Sequence, residues 1–224
     1  MKKLYLLLFF CSLVMPQALH AQQKEKTPFI QFGITGGLNI SLIHVDDNDY
    51  DGYVDKKRPG FTLGPTAIVA LPFNGLKADV SALYDLRAAR SKDNGDCETI
   101  SCSSFQFPIN LRYSMNIGDM VEGFVFTGPQ FGVNAGSKEQ LIVSGTGKTT
   151  GHAMERRWVA NSSTFSWNIG VGGVIEEKVQ VCLMYNMALK NTGEIHQVDL
   201  VNGNSKVLTT GKAHAVQISL SYLF

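Results

Sequence analysis

The chain has 224 residues and a formal net charge of +1; charged residues make up 17% of it, and 22 residues are glycine. That charge content is low against the roughly 25% usual for soluble domains, and the lack of a basic excess excludes nucleic acid as a partner. Past the first 21 residues no apolar run approaches the about 20 residues that a membrane-spanning helix requires.

The opening stretch, "MKKLYLLLFFCSLVMPQALHAQQ", begins with Lys2 and Lys3, continues as a short apolar core from Leu4 to Met15, and places the small residue Ala21 before Gln22. It reads as a secretory leader over 1–21, with one domain over 22–224. Cys11 does not make a lipidation site: Phe10 before it is bulky, and the cut would fall inside the apolar core. Export carries the mature chain to where disulfides persist.

Beyond the leader, alternation with a period of two marks strands with chemically different faces. "IQFGITGGLNISL" predicts a first strand over 30–43, blurred by its glycines. The polar segment 44–59 contains "DNDYDGYVD", where Asp47, Asp49, Asp51 and then Gly52, with Asp55 beyond, resemble the start of a calcium loop. Its twelfth position is Arg58 instead of a bidentate Glu, which favours a plain solvated loop.

"GFTLGPTAIVAL" predicts a strand over 60–71. "KADVSALYDLR" predicts one over 77–88, with Ala78, Val80, Ala82, Tyr84 and Leu86 on one face and Lys77, Asp79, Ser81, Asp85 and Arg87 on the other. Segment 89–103 reads as a loop holding "CETISC". In an oxidising compartment Cys97 and Cys102 are expected to form a disulfide, two free thiols being the alternative.

"FQFPINLRYSM" alternates Phe105, Phe107, Ile109, Leu111 and Tyr113 against Gln106, Asn110, Arg112 and Ser114, for a strand over 104–115. "GFVFTGPQFGVNA" gives 123–135 more weakly. Segment 136–163 is long and polar. Its "SGTGKTTG" ends like a phosphate-binding loop, but Ile142 stands where the first glycine belongs and no strand-to-helix context follows, so it reads as a loop tip. "FSWNIGVGGVI" and "VQVCLMYNMAL" give strands over 164–175 and 179–190, with Cys182 on the polar face as a small packed residue. After the polar segment 191–211, the last strand, 212–224, ends in "HAVQISLSYLF".

Eight strands of about ten residues, joined alternately by short turns and long polar connections, predict an all-β fold: an eight-stranded antiparallel transmembrane β-barrel of the bacterial outer membrane, with short periplasmic turns and long extracellular loops. Alternation alone also fits a soluble barrel with an apolar cavity. The leader, the loop asymmetry and the small polar side chains of one face favour the membrane. So do aromatics gathered at strand ends: Phe61, Tyr84, Phe105, Phe165 and Trp167 toward the long loops, Tyr113, Tyr222 and Phe224 toward the short turns.

"FGITGGLNIS", "GFTLGPTAIVALPF", "FQFPINLRYS", "FTGPQFGVNAG", "NIGVGGVIE" and "ISLSYLF", in that order, resemble segments of the outer-membrane barrel domain common in Bacteroidetes, the PorT-like or porin family. The resemblance covers nearly all of the mature chain. It implies that the terminal Phe224 is read by the barrel assembly machinery, and it admits a part in type IX-like secretion, to which one family component belongs.

Candidate sites are few. The lumen charges Lys77, Asp79, Asp85, Arg87 and Arg112 are of mixed sign and form no ring of one sign. They read as a polar plug more readily than as an ion path, and Asp79 and Arg112 are expected to pair. A surface lipid hydrolase would need His, Ser and an acid at the outer rim. The mature histidines are His44, His152, His196 and His214, and nothing in the sequence fixes their geometry. No catalytic, cofactor or metal residue is therefore assigned. The expected role is a structural or surface-interaction module, not an open pore and not an enzyme. Its expected partners are outer-membrane lipid and an extracellular or envelope partner. An accessory factor in secretion or envelope assembly is the alternative, and the lipid hydrolase a second one.

Overall fold

Alternation becomes strand throughout the computed structural model, which describes residues 29–45, 53–93, 96–118, 120–137, 139–146 and 153–224. The expected leader over 1–21, the acidic stretch from Asp47 to Gly52, His152 and the end of the "SGTGKTTG" tip lie outside the described residues, as do the side chains of His44 and Asp55.

The strands in chain order are β1 (Ile30–Val45), β2 (Tyr53–Ala70), β3 (Leu76–Ser81), β4 (Leu83–Asp93), β5 (Asp96–Asn116), β6 (Val121–Asn134), β7 (Glu139–Thr146), β8 (Ala153–Ala160), β9 (Ser163–Ile175), β10 (Val179–Ala188), β11 (Gly193–Asp199) and β12 (Ser205–Leu223). β3 and β4 are one strand interrupted at Ala82, opposite Gly64 and Pro65. Pro65 has no N–H to give the ladder, and its carbonyl accepts from the Ala82 N–H at 3.0 Å.

A closed antiparallel ring runs β1, β2, β3/β4, β5, β6, β9, β10, β12 and back to β1. The closing ladder extends from Gly33 opposite Leu223 to Val45 opposite Gly211. Neither terminal strand of the ring keeps an open edge, as a lipid environment requires. The eight expected strands are the eight members of this ring. At one end the turns are short. Between β9 and β10, Glu176 and Glu177 both take left-handed backbone, φ 50° and 59°, and Lys178 N–H donates to the Ile175 carbonyl at 3.1 Å. Two such residues form the primed hairpin turn that matches strand twist, normally built from Asn and Gly.

The opposite end departs from expectation. Segments 136–163 and 191–211 are not simply long loops, because they contain β7, β8 and β11. β12 pairs with β10 only as far as Asn186 opposite Ala215, and with β11 from Gly193 opposite Gly211 outward. β8 lies on β11 and β7 on β8. The outer half of β12 would otherwise present unpaired backbone, and β11 covers it. Likewise 89–103 is a continuation of β4 and β5, whose ladder reaches Asp93 opposite Asp96.

Side chains divide as a membrane barrel demands. Leu38 is 67% exposed and its neighbour Asn39 1%; Ile218 is 60% exposed and Ser219 7%. A continuous apolar outer surface of this extent does not occur on a soluble monomer, which removes the soluble-barrel reading. Phe61, Tyr84 and Phe105 touch in sequence around the outer end, with ring centroids 6.2 and 5.7 Å apart, and Phe131 meets Phe165 at 5.0 Å.

The lumen near the short turns holds an apolar cluster built on Ile68, Phe124, Phe126, Val174, Cys182, Met184 and Leu223. Phe124 and Phe126 face inward because Gly172 and Gly170 stand opposite them on β9. A Cβ at Gly172 would meet the Phe124 ring and lie 2.6 Å from the Val181 carbonyl oxygen.

Candidate functional site

The five lumen charges do not form one cluster. They separate along the barrel axis into two ion-pair centres, the outer of which continues into a chain of neutral amides.

The inner centre, near the short turns, is organised by Arg112, which is 1% exposed. Its Nη1 donates to Gln180 Oε1 at 2.7 Å and lies 3.5 Å from Asp79 Oδ2. Its Nη2 donates to Glu122 Oε1 at 3.2 Å. The guanidinium carbon sits 4.3 Å from the centre of the Phe124 ring, so the cation also rests on an aromatic face. Lys77 Nζ donates to both oxygens of Glu122 at 2.8 Å. Glu122 thus bridges two cations. Sequence reasoning missed it, because it was assigned to the turn before β6; its register in the β6 pattern was the available signal.

The outer centre is built on Asp85. It accepts from Arg87 Nε at 2.6 Å and from Asn39 Nδ2 at 2.6 Å. Arg87 Nη1 and Nη2 both reach Asn186 Oδ1 at 3.5 Å. Asn186 then starts a chain of amides across the lumen. Its Nδ2 donates to Ser166 Oγ and Asn168 Oδ1, both at 2.7 Å. Asn168 donates to Gln130 Oε1 at 3.0 Å and Asn110 Oδ1 at 3.2 Å. Gln130 donates to Gln106 at 3.0 Å, and Gln106 to Ser104 at 2.8 Å. These uncharged members were not singled out from the sequence, although their even spacing on the polar faces marks them. The network satisfies groups that would otherwise cost several kcal/mol each when buried dry.

Above this chain an apolar cluster sits at the outer mouth. Trp158 of β8 and Ile195 of β11 are 3% and 0% exposed, and with Ala160 they pack against Leu208 and Cys102. A cavity of about 50 Å³ remains beneath, lined by Arg87, Cys102, Gln106, Trp158 and Asn186 among others. That is room for a few waters.

The expected Cys97–Cys102 disulfide is corrected. Both residues lie on the single strand β5, and Cys102 is a free thiol. Five extended residues span about 16 Å, against the roughly 7 Å limit between bridged Cα atoms. Cys182 is also free, buried in the apolar cluster.

His214 stacks on Tyr185, with centroids 6.1 Å apart and planes 3° from parallel, and its Nδ1 accepts from Ala188 N–H at 3.3 Å. An acid–His–Ser alignment does occur at the outer end: His196 Nε2 is 3.2 Å from Glu194 and Nδ1 is 3.3 Å from Ser205 Oγ. The ring nitrogens are reversed from the triad arrangement, in which Nε2 faces the serine. Ser205 also stands seven residues beyond Lys212 on β12, about 23 Å along the strand, which places its hydroxyl far above the apolar belt.

The family model for the outer membrane protein beta-barrel domain matches residues 20–193. No curated protein matches the chain. Among solved structures, OprG from Pseudomonas aeruginosa is similar at 13% identity and TM-score 0.46, over 87% of this chain and 95% of that one. Ail of Yersinia pestis is similar at 12% identity and TM-score 0.37, over 87% and 98%. The Pseudomonas putida toluene transporter TodX is similar at 11% identity and TM-score 0.35, over 87% of this chain and 58% of that one. With a matching model over most of its length and a closed barrel that is polar inside and apolar outside, the chain belongs to the outer membrane protein beta-barrel domain family and resides in the outer membrane.

Proposed function

We propose that this protein is a closed barrel that carries a surface-interaction module, and is neither an open pore nor an enzyme. The observation that carries this reading is the sheet β12–β11–β8–β7, which continues one side of the barrel outward and lays Trp158 and Ile195 over its mouth. Beneath it the lumen is crossed by the Asn186–Asn168–Gln130–Gln106 chain. The outer surface of the sheet carries charge of both signs, including Arg157 bridged to Glu155 at 2.7 Å and to Glu139 at 3.3 Å. A mixed-charge rigid surface suits contact with a protein or the surface coat.

The test is conductance of the purified full chain in planar bilayers. No steady channel is expected, and a stable water-filled conductance would refute the closed reading. In cells, replacing 139–160 by a short turn should abolish the surface phenotype while the barrel still assembles. An accessory role in secretion, which the PorT-like resemblance implies, would instead survive that replacement and be lost on changing the periplasmic turn 71–75.

A further inference from the structure

Where β12 exchanges β10 for β11, the wall of the barrel forks. Ala188 is paired with Ser166 of β9 but has no ladder partner on the β12 side, and its N–H goes to the His214 ring at 3.3 Å; Ala213 N–H goes to Thr192 Oγ1 at 2.9 Å. On the outside of the fork lies an open groove of about 650 Å³. Its walls include the β8–β9 turn, with Asn161 and Ser162, and the β10–β11 connection, with Leu189, Lys190 and Asn191; Lys212 of β12 and Glu194 of β11 also line it. The walls are pinned together: Asn161 Nδ2 donates to the Asn191 carbonyl at 2.7 Å, and Asn161 N–H to the Thr192 carbonyl at 3.0 Å.

Two features give the groove a chemical preference. The first is charge. Neither Lys190 nor Lys212 has an ion-pair partner among the described residues, whereas the Glu194 carboxylate is engaged by His196 at 3.2 Å. The second is depth. Lys190 is three residues beyond Met187, which pairs with the belt residue Trp167. Lys212 is two residues beyond His214, which is stacked on the belt residue Tyr185. Three residues of a tilted strand rise about 7 Å, which is roughly the thickness of the headgroup layer outside the hydrocarbon.

We propose that this groove binds the phosphate of an anionic outer-leaflet lipid, with both lysine ammonium groups donating to its oxygens. Ser162 and Asn191 are then placed beside the sugar or ester oxygens attached to that phosphate. The lipid anchors the base of the extracellular sheet where it leaves the barrel.

The full chain, refolded in a zwitterionic detergent, can be titrated with diphosphoryl lipid A and with the same lipid stripped of phosphate, bound lipid being counted by native mass spectrometry. The phosphorylated lipid should bind, and the double variant Lys190→Gln/Lys212→Gln should bind it about 30-fold more weakly. Lys190→Arg/Lys212→Arg should retain binding within a few-fold, as should Lys178→Gln at the opposite end. The shift in gel migration on boiling shows that each variant is folded. Unchanged affinity in the double Gln variant would overturn the site. Equal binding of the dephosphorylated lipid would overturn the phosphate assignment. Displacement by inorganic phosphate at comparable concentration would overturn the lipid assignment in favour of a free anion.

Discussion

Asp79 and Arg112 meet at 3.5 Å in the lumen without standing opposite each other in the ladder. Lys77 is the residue opposite Arg112, and Asn110 the one opposite Asp79. The contact is therefore diagonal, made by the reach of a long guanidinium side chain. Arg112 has Glu122 and Gln180 as further partners, whereas Asp79 Oδ1 and Arg112 Nε have no hydrogen-bond partner among the described residues.

Removing one member of a buried pair strands the other charge, at about 3–5 kcal/mol. Arg112→Ala should destabilise the barrel by that amount, and by more than Asp79→Ala does, because it releases Glu122 as well. The double variant should lose less than the sum. Denaturant unfolding in detergent micelles reads all three, and strict additivity would mean that the two groups do not interact.

Gly172→Ala should destabilise through the Phe124 ring, by about 1–3 kcal/mol as overpacking. Phe124→Leu in that background should recover part of the loss. Full recovery is not expected, since the Val181 carbonyl oxygen also crowds the position. A cycle showing no coupling between the two positions would place Phe124 away from Gly172.

The Trp158 cap should control access to Cys102. In a Cys97→Ser background, a membrane-impermeant maleimide applied to whole cells should label Cys102 slowly, and Trp158→Ala should accelerate labelling by at least about tenfold, the free-energy equivalent of losing about 1.4 kcal/mol of closure. Equal rates would show that β8 does not cover the mouth.

Neighbouring residues on β12 should differ sharply. Ile218→Arg places a charge on the lipid face at a cost of about 2–4 kcal/mol near midplane, and assembly, read from heat-dependent gel migration, should fall. Ser219→Asn, on the lumen face, should be tolerated. Equal outcomes would reverse the assignment of faces.

The ring and its two faces were legible in the sequence because each is a local property. Leu38 beside Asn39 and Ile218 beside Ser219 report the period of two directly, and in a closed barrel that parity decides what meets lipid. Where three apolar residues run together, as Phe124–Val125–Phe126, parity cannot be read. Only the Gly170 and Gly172 positions across the β6–β9 ladder show that the phenylalanines turn inward. Partner choice is likewise non-local. The exchange of β10 for β11 along β12, and hence the cap and the lysine groove, depends on which strand supplies hydrogen bonds to each half of one long strand. The same limit misplaced the cysteines. Proximity of Cys97 and Cys102 in sequence suggests a bridge, but extended backbone separates neighbours in sequence and joins residues distant in it, such as Arg112 and Gln180.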